Sequence, residues 1–403
     1  MSRIELLAPA KDLFKAKIAI LYGADAVYVG GKEYSLRSRA SNFTIDEIAE
    51  LVQFAHSHGV RVYVTCNIVF HDEDFEGFEN YVTKLDDIGV DAIIVSSLAA
   101  LRIIKKVSPH LPIHLSTQQS IINSDACNMM QIYGADRVIL GRECSIKDIE
   151  LISDKTLVPI EVFIHGGMCA NCSGRCTISS RTTNRDANRG GCAHSCRWAY
   201  TLYEGSRVKN KNNTIFTMSS KDLNAVQYIE QLMKLGVCSL KIEGRMKSEY
   251  YIAQLVKTYK RMIEEIEVKG TLNKNRIIHY LLEIRKAENR PTSTGFFSGV
   301  CDETKTIYTE NGAGVTHEYV GLVKAYDPET KMATVEVKNV FKKGDMLEVF
   351  GPEVDNRLFF APDMFTEENE MIDVANHPNQ ILKMPIPYEV QENDMIRIVN
   401  HED

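Results

Sequence analysis

The sequence predicts an α/β protein: a closed, TIM-like (β/α)8 barrel followed by a small antiparallel β-domain. The first observation is a recurring phrase, in which a glycine that can end a helix is followed after two linking residues by a short β-branched run. The second is that helical stretches separate these runs, which is typical of parallel strands joined by right-handed crossovers. The third is a change near residue 315 to alternating apolar and polar residues between turn signals.

The recurring phrase occurs five times, and three further apolar runs bring the number of predicted strands to eight. In chain order the runs are IELLAPA (4–10), GADAVYVGG (23–31), GVRVYVTCN (59–67), GVDAIIVSS (89–97), IHLSTQQ (113–119), GADRVILGR (134–142), IEVFIHG (161–167) and GVCSLKIEG (236–244). Eight such units in about 260 residues fit a closed barrel. A doubly wound open sheet is the alternative. Since no G-x-G-x-x-G follows the first strand, a dinucleotide-binding fold has little support.

Helices are predicted between the strands and beyond the eighth one. The stretch TIDEIAELVQFAHSHG begins with a capping box, formed by Thr44 and Glu47. A long helix is predicted over about 248–266, and a further helical stretch extends to about residue 288. The turn signals DPET and KKGD punctuate the alternating segment near the C-terminus. The predicted domains are a barrel over 1–266 with a cysteine-rich, Fe–S-binding insertion at about 167–218, a helical linker region over 267–314, and a β-barrel-like domain over 315–403.

Composition and the N-terminal residues narrow the class of protein. With 403 residues, of which 44% are hydrophobic and 25% charged, the chain is typical of a globular protein that buries a large core. It has no run of about 18 apolar residues, and its first residues do not resemble a secretory signal. We therefore expect no membrane span and a cytoplasmic location. The net charge of −7 argues against nucleic-acid binding over the whole surface but permits a local basic patch.

Five cysteines fall within 28 residues directly after the seventh predicted strand: Cys169, Cys172, Cys176, Cys192 and Cys196. Barrels of this kind gather their reactive groups at the C-terminal ends of the strands, so this segment should lie over the barrel mouth. A reducing compartment argues against disulfides. One catalytic thiol beside His165 or His194 would leave the other thiols unexplained. Structural zinc and an iron–sulfur cluster both remain open on spacing, and the position over a predicted active site favours a cofactor.

The segment that contains the last cysteines is basic and carries aromatic side chains. Trp198, Tyr200 and Tyr203 are interleaved with cations, while the acidic residues are Asp186 and Glu204. The seven cations are Arg181, Arg185, Arg189, Arg197, Arg207, Lys209 and Lys211. Basic and stacking side chains together are typical of a surface that binds single-stranded RNA. A solvated loop whose arginines pair with acidic residues elsewhere is the alternative.

Polar residues at the predicted strand ends are candidates for a small-molecule pocket. The eighth strand runs into Glu243, Arg245 and Lys247, and an arginine can hold a carboxylate through two parallel hydrogen bonds. A structural ion pair across the barrel end is the alternative for these charges. We predict a pocket for a small anion lined by His165, Glu243 and Arg245, with Gln118 and Glu143 as further candidates at the ends of the fifth and sixth strands.

Several longer motifs carry a resemblance to a known family. The stretch EVFIHGGMCANCSGRCTIS is similar to the signature of the peptidase U32 family, which reads E-x-F-x-x-G, a small residue, Leu or Met, Cys, then G-x-C. Gly167 stands where Ala or Ser is usual. The stretches TNRDANRGGC, CRW, SSKDL, KIEGRMKS, ELLAPA, GADAVYVGG and NRPTSTGFF also match, so the resemblance spans nearly the whole chain. No H-E-x-x-H helix and no G-x-S-x-G elbow occurs, which gives little support to the family's older description as collagenase-like proteases.

The chain resembles the branch of this family that hydroxylates tRNA. The resemblance implies a 4Fe–4S cluster, prephenate as the co-substrate that supplies the hydroxyl group, and 5-hydroxyuridine at the tRNA wobble position as the product. The implied cluster ligands are Cys169, Cys176, Cys192 and Cys196. Other branches have a ligand in an Asp-Leu-Cys motif, where this chain has Asn224. Cys172 lies outside the implied set, as a spare thiol or an alternate ligand.

Two other functions stay open from the sequence: a peptidase of the U32 type, and a non-catalytic RNA-binding protein with a structural metal. The preferred hypothesis is a tRNA uridine hydroxylase whose partners are tRNA and a small anionic co-substrate, with the need for a paralogous subunit left open. Its predicted catalytic residues are His165, Glu243, Arg245, Gln118 and Glu143. Its predicted substrate- and RNA-binding residues are Arg181, Arg185, Arg189, Arg197, Trp198 and Lys247.

Overall fold

Eight parallel strands form a closed barrel, which confirms the fold predicted from the sequence. The computed structural model describes residues 4–36, 42–210, 216–307 and 316–399. The barrel strands are β1 (Glu5–Pro9), β2 (Ala26–Gly30), β3 (Arg61–Cys66), β4 (Ala92–Val95), β5 (Ile113–Leu115), β6 (Arg137–Ile139), β7 (Ile160–Gly166) and β8 (Ser239–Ile242). The sheet closes because β8 pairs in parallel with both β7 and β1.

Helices pack around the barrel and extend beyond its eighth strand. They are α1 (Leu13–Leu21), α2 (Ile45–Ser57), α3 (Phe78–Ile88), α4 (Leu98–Val107), α5 (Ser124–Ile132), α6 (Ile146–Lys155), α7 (Ile178–Thr183), α8 (Ile229–Lys234), α9 (Glu249–Lys269) and α10 (Lys274–Arg285). The predicted capping box at the start of α2 is present, since the side chains of Thr44 and Glu47 each accept from the other's backbone N–H. No helix in the described ranges is long and apolar enough to cross a membrane.

The insertion after β7 contains α7, several turns of 3₁₀-helix and a short hairpin of Tyr203–Glu204 with Arg207–Val208. It returns to the barrel through a short strand, Asp222–Asn224, which the sequence did not predict. This strand pairs antiparallel with the end of β7 and parallel with Thr292–Ser293. The region after α9 therefore contributes to the barrel sheet as well as linking the two domains.

The C-terminal domain is antiparallel, as predicted. Its main sheet contains β9 (His317–Asp327), β10 (Met332–Val337), β11 (Met346–Phe350), β12 (Arg357–Phe360), β13 (Met364–Thr366), β14 (Met371–Ile372), β15 (Ile381–Pro385) and β16 (Met395–Val399). Their order in the sheet is β12-β11-β16-β9-β10-β15-β13-β14. Aromatic contacts join this domain to the barrel, with Tyr250 of α9 stacked on Tyr319.

Buried charges fill the part of the barrel interior near the N-terminal ends of the strands. Glu161 is fully buried and accepts from Nζ of Lys241 at 2.8 Å and from Nη1 of Arg137 at 3.0 Å. Arg137 also donates to Glu5 at 2.7 Å, and the Tyr63 hydroxyl donates to Glu5 at 2.6 Å. Buried ions are tolerated when they are paired and hydrogen-bonded in this way. The network forms the floor beneath the open end of the barrel.

Candidate functional site

A cavity of about 210 Å³ lies at the C-terminal end of the barrel, beneath the cysteine-rich insertion. Strand ends supply its barrel side, and residues 167–197 of the insertion supply its roof. Cys169, Cys176, Cys192 and Cys196, which the resemblance implies as cluster ligands, all line this cavity. Cys172 is exposed and is not among the lining residues. The structure therefore separates the four predicted ligands from the fifth thiol of the segment.

The four cavity cysteines share one electrostatic environment. Burial raises the pKa of the Cys169 and Cys196 thiols, and repulsion from Cys176 and Cys192 raises both further. Within the described residues, no group of three or more His, Cys, Asp or Glu side chains is arranged to hold a metal ion. The four thiols line one cavity, but they are not arranged about a common metal position. By residue type, four cysteines that line one cavity are a donor set that would suit an iron–sulfur cluster.

Cys176 is held in place by two asparagines. Its backbone N–H donates to Oδ1 of Asn188 at 3.1 Å, and Nδ2 of Asn188 donates back to its carbonyl at 3.0 Å. Asn171 donates from Nδ2 to the Cys176 sulfur at 3.2 Å. The carbonyl of Asn188 in turn accepts from the backbone N–H of Val69, after β3. These contacts fix the buried cysteine relative to the barrel rim.

Two residues predicted for the site instead fasten the insertion to the barrel. Glu143 accepts from the backbone N–H of Ser173 at 2.6 Å and from its hydroxyl at 2.5 Å, and it is not a lining residue of the cavity. Arg189, predicted to bind RNA, forms a two-pronged ion pair with Asp74 at 2.5 and 2.9 Å. The predicted place of Glu143 in the pocket is therefore corrected, whereas Arg189 has a partner within the protein and its predicted RNA contact stays a prediction.

The barrel side of the cavity is cationic. Arg245, predicted for the pocket, lines it and is buried, with Nη1 donating to Ser35 at 3.0 Å and Nη2 donating to the carbonyl of Leu36 at 2.5 Å. Arg142 lies with its guanidinium carbon 3.9 Å from the centre of the Phe163 ring. Lys241 also lines the cavity, and burial lowers its pKa while Glu161 opposes that shift. These fixed cations are suited to an anionic ligand.

Glu243 lines the cavity as predicted, and a glycine makes its position possible. Its Oε2 accepts from the backbone N–H of Gly167 at 3.1 Å. Gly166 has a φ of +104°, and a Cβ at this position would lie 2.2 Å from the Glu243 carbonyl oxygen. Any larger residue at 166 would push the ends of β7 and β8 apart. Gly166, the glycine of the family signature, thus allows the start of the insertion to lie close to Glu243.

His165 does not line the cavity, contrary to the sequence prediction. The pairing of β7 with β8 shifts register between Lys241 and Ile242, so that His165 lies opposite Ile242. This irregularity aims the ring away from the cavity, where Nδ1 lies 3.0 Å from the hydroxyl of Tyr259 and Nε2 lies 3.8 Å from Glu288. Burial lowers the pKa of His165 to about 3. Its role is therefore in the packing behind β7.

Replacing Glu288 with glutamine should change the pH dependence of stability. Burial raises the pKa of Glu288 from its ordinary 4.5 to about 7. Because the folded-state pKa is the higher one, this group supports the fold at low pH, and its contribution is lost as the pH rises through about 7. We expect Glu288→Gln to match the unchanged protein near pH 4, below the unfolded pKa, and to be more stable near pH 8 by about 1–3 kcal/mol. Thermal unfolding at both pH values checks this, and identical midpoints at pH 8 would contradict it.

The remaining predicted RNA-binding residues are spread over and around the insertion. Arg181 and Arg185 are exposed, Trp198 is 44% exposed, and Arg197 lines the cavity. Lys247 is engaged elsewhere, with Nζ 3.2 Å from Asn289 Oδ1 and 3.6 Å from a carboxylate oxygen of Asp222. Lys209 forms an ion pair with Glu204, which is the arrangement expected if this part of the insertion is a solvated loop and not an RNA-binding surface. Lys211 lies outside the described residues. Gln118 lines the cavity with a buried side chain.

Sequence reasoning missed Lys241 as a cavity residue, and it placed Arg142 at a strand end without assigning it to the pocket. Lys241 lies two residues after Ser239, so both point into the barrel from an otherwise apolar strand. A charged residue at an inward position of a buried strand was the signal that could have identified it. Arg142 lies three residues beyond the end of β6, at a position already expected to face the barrel mouth.

Comparison with known proteins gives matches along nearly the whole chain. The family model for peptidase family U32 matches residues 11–306, and the model for the peptidase family U32 C-terminal domain matches residues 315–397. The tRNA hydroxylation protein P1 of Bacillus subtilis is 42% identical, with 98% of this chain and 94% of that protein covered.

Two further relatives carry different names. The 23S rRNA 5-hydroxycytidine C2501 synthase of Escherichia coli is 37% identical over 73% of this chain and 45% of that protein. A collagenase of Porphyromonas gingivalis is 30% identical over 86% of each chain. The family models and the extent of these matches confirm the resemblance found in the sequence motifs. The chain belongs to peptidase family U32.

Proposed function

We propose that this protein is an RNA-modifying enzyme that hydroxylates tRNA, converting the wobble uridine to 5-hydroxyuridine with prephenate as the source of the hydroxyl group. The observation that carries the proposal is that four cysteines and a set of fixed cations surround one cavity at the barrel mouth. The relatives named for tRNA hydroxylation and for rRNA hydroxycytidine synthesis support RNA hydroxylation as the class of reaction.

In this proposal Cys169, Cys176, Cys192 and Cys196 hold a 4Fe–4S cluster. Such a cluster supplies one-electron redox chemistry when it is bound. The chain's own contribution is to fix the thiols: Asn188 and Asn171 hold Cys176, and Glu143 holds the turn that contains Ser173. Buried cluster ligands with hydrogen bonds to sulfur are typical of sites in which the protein tunes the cofactor.

The small anionic co-substrate would bind in the same cavity. Arg142, Lys241 and Arg245 line it from the barrel side, and prephenate presents carboxylates to such cations. Below them, the paired charges around Glu161 fill the barrel interior. Arg181, Arg185 and Trp198 on the outer face of the insertion would contact the RNA.

A peptidase function is less well supported by this site. A cysteine nucleophile needs a lowered pKa, whereas burial raises the pKa of Cys169 and Cys196. We therefore do not propose proteolysis for this chain.

The test is to delete the gene in its host and to measure 5-hydroxyuridine and its derivatives in total tRNA by mass spectrometry. If a paralogue is present, it is deleted as well. We expect these nucleosides to be lost and to return when the gene is supplied on a plasmid. Unchanged nucleoside levels in a strain that lacks every paralogue would overturn the proposal.

Replacing Arg245 with methionine should weaken binding of the anionic co-substrate by about 10- to 100-fold, since a charge-assisted hydrogen bond contributes about 1.5–3 kcal/mol. Isothermal titration of prephenate into the purified protein measures this. The matched control is Arg102→Met, because Arg102 is an exposed residue on the outer helix α4. Equal affinities of the two variants would show that Arg245 is only a structural residue.

A further inference from the structure

We propose that a second groove, beside the cysteine-lined cavity, binds the pyrimidine nucleotide that is to be modified, with the side-chain amide of Gln118 against the base. This inference rests on the proposed RNA hydroxylation and names the site that would hold the target nucleotide. It assigns the two ligands of the reaction to two adjoining spaces at the barrel mouth.

The groove encloses about 400 Å³ between the barrel rim and the insertion. This volume is in the range of small-molecule sites. The segment after β3 forms one wall with Val69 and Phe70, and the start of α4 contributes Ser97. Two lining residues, Gln118 and Cys176, also line the cysteine-rich cavity. A ligand in the groove would therefore lie next to a predicted cluster thiol and to the anion-binding cavity.

Gln118 is the feature that points to a base. Its side chain is only 6% exposed, and within the described part of the chain its Oε1 atom has no hydrogen-bond partner. A buried amide oxygen without a partner is unusual and calls for a ligand group that donates a hydrogen bond. The N3–H of uridine is such a donor, and the neighbouring O4 accepts from an amide N–H. A carboxamide matches this edge with both of its polar atoms.

The charges of the two spaces differ in a way that separates their ligands. Four cations and one carboxylate line the cavity, whereas Arg175 is the one charged residue among those that line the groove. An anionic co-substrate is therefore favoured in the cavity. The groove instead combines the apolar side chains of Val69 and Phe70 with the amide of Gln118, which suits a neutral, planar base.

The rim of the groove offers contacts for a phosphate. Helix α4 begins here, with Ser97 as its N-cap, and backbone N–H groups at a helix start favour phosphate oxygens. Arg175 is exposed at the same rim. Its Nε donates to the Gln118 carbonyl at 2.6 Å, and Nη2 lies 3.4 Å from Oε1 of Gln119. The groove thus provides a buried end for a base and an exposed, positively polarised end for the backbone of the RNA.

The experiment compares two stem–loop RNAs that differ only in whether N3 of the target base carries a hydrogen atom or a methyl group. One carries uridine at the wobble position and the other carries 3-methyluridine, which lacks the N3–H donor. Binding to the full-length protein, prepared anaerobically, is measured by fluorescence anisotropy. We expect the unchanged protein to bind the methylated RNA at least about 10-fold more weakly. Gln118→Met, which keeps the length of the side chain without its polar atoms, should bind both RNAs equally and weakly.

A second variant tests the groove without touching Gln118. Val69→Trp places a large ring on an exposed lining position, since Val69 is 44% exposed. It should weaken binding of the uridine RNA by at least about 10-fold while prephenate binding in the cavity stays unchanged. If Gln118→Met folds poorly, Val69→Trp still tests the groove. The midpoints of thermal unfolding of both variants are measured together with the binding curves.

The outcomes separate this inference from the proposed function. If the unchanged protein restores 5-hydroxyuridine in the deletion strain but Val69→Trp and Gln118→Met bind RNA as it does, the groove assignment is wrong and the proposed function stands. Retained discrimination against 3-methyluridine by Gln118→Met would also overturn the assignment. If no 5-hydroxyuridine is restored, the proposed function fails, and the binding assay still decides whether the groove reads a uridine.

Discussion

Replacing Cys176 with alanine should remove the iron from the protein and abolish tRNA hydroxylation. Cys176 is the buried member of the four cysteines that line the cavity, and Asn188 and Asn171 hold it in place. A cluster that loses one of four thiolates loses one of its covalent attachments, and the remaining thiol of the segment, Cys172, does not line the cavity. We expect iron content after anaerobic purification to fall to near background, and 5-hydroxyuridine in a complemented deletion strain to fall below detection.

The matched control is Cys172→Ala. Cys172 belongs to the same segment and is the same residue type, but it is exposed and does not line the cavity. This variant should keep its iron and should restore 5-hydroxyuridine in the deletion strain. Loss of iron from Cys172→Ala together with its retention in Cys176→Ala would show that the cavity does not define the ligand set.

Replacing Glu161 with glutamine should destabilise the fold by about 3–5 kcal/mol. Glu161 is fully buried, and its two oxygens accept from Lys241 and Arg137 inside the barrel. Removing its charge leaves the buried ammonium of Lys241 without its counter-ion, and an uncompensated buried charge is strongly unfavourable. We expect a large fall in the midpoint of thermal unfolding, and circular dichroism measures it.

The same chemical change at an exposed ion pair provides the control. Glu50 accepts from Lys17 at 2.8 Å on the outer surface of the barrel, and its side chain is 55% exposed. Glu50→Gln should cost no more than about 1 kcal/mol, because solvent screens exposed pairs. A loss of stability in Glu161→Gln that is no larger than this would show that the interior network contributes little.

Local patterns in the sequence were sufficient to predict the barrel. Each glycine that ends a helix before a β-branched run lies where the structure turns from helix to strand, and the capping box at Thr44 is formed as expected. The order of the strands in the barrel could be predicted because strands that alternate with helices permit few arrangements. The placement of the cysteines over the barrel mouth followed from the same topology, since the segment begins where β7 ends.

The errors concern interactions between residues far apart in the chain. His165 was expected in the pocket, but the register shift between β7 and β8 turns it outward, and such a shift depends on strand pairing rather than on local sequence. Glu143 was expected in the pocket, but it accepts hydrogen bonds from Ser173, 30 residues later. The strand Asp222–Asn224 was missed because three residues are too few to show a period.

Iron and acid-labile sulfide analysis of the anaerobically purified protein measures the proposed cluster itself, since the proposed hydroxylation depends on the four cavity cysteines holding an inorganic core. We expect about four iron and four sulfide per chain, with a broad visible absorption that dithionite bleaches. Stoichiometric zinc in place of iron, or protein that contains neither metal nor sulfide after anaerobic preparation and reconstitution, would contradict the account.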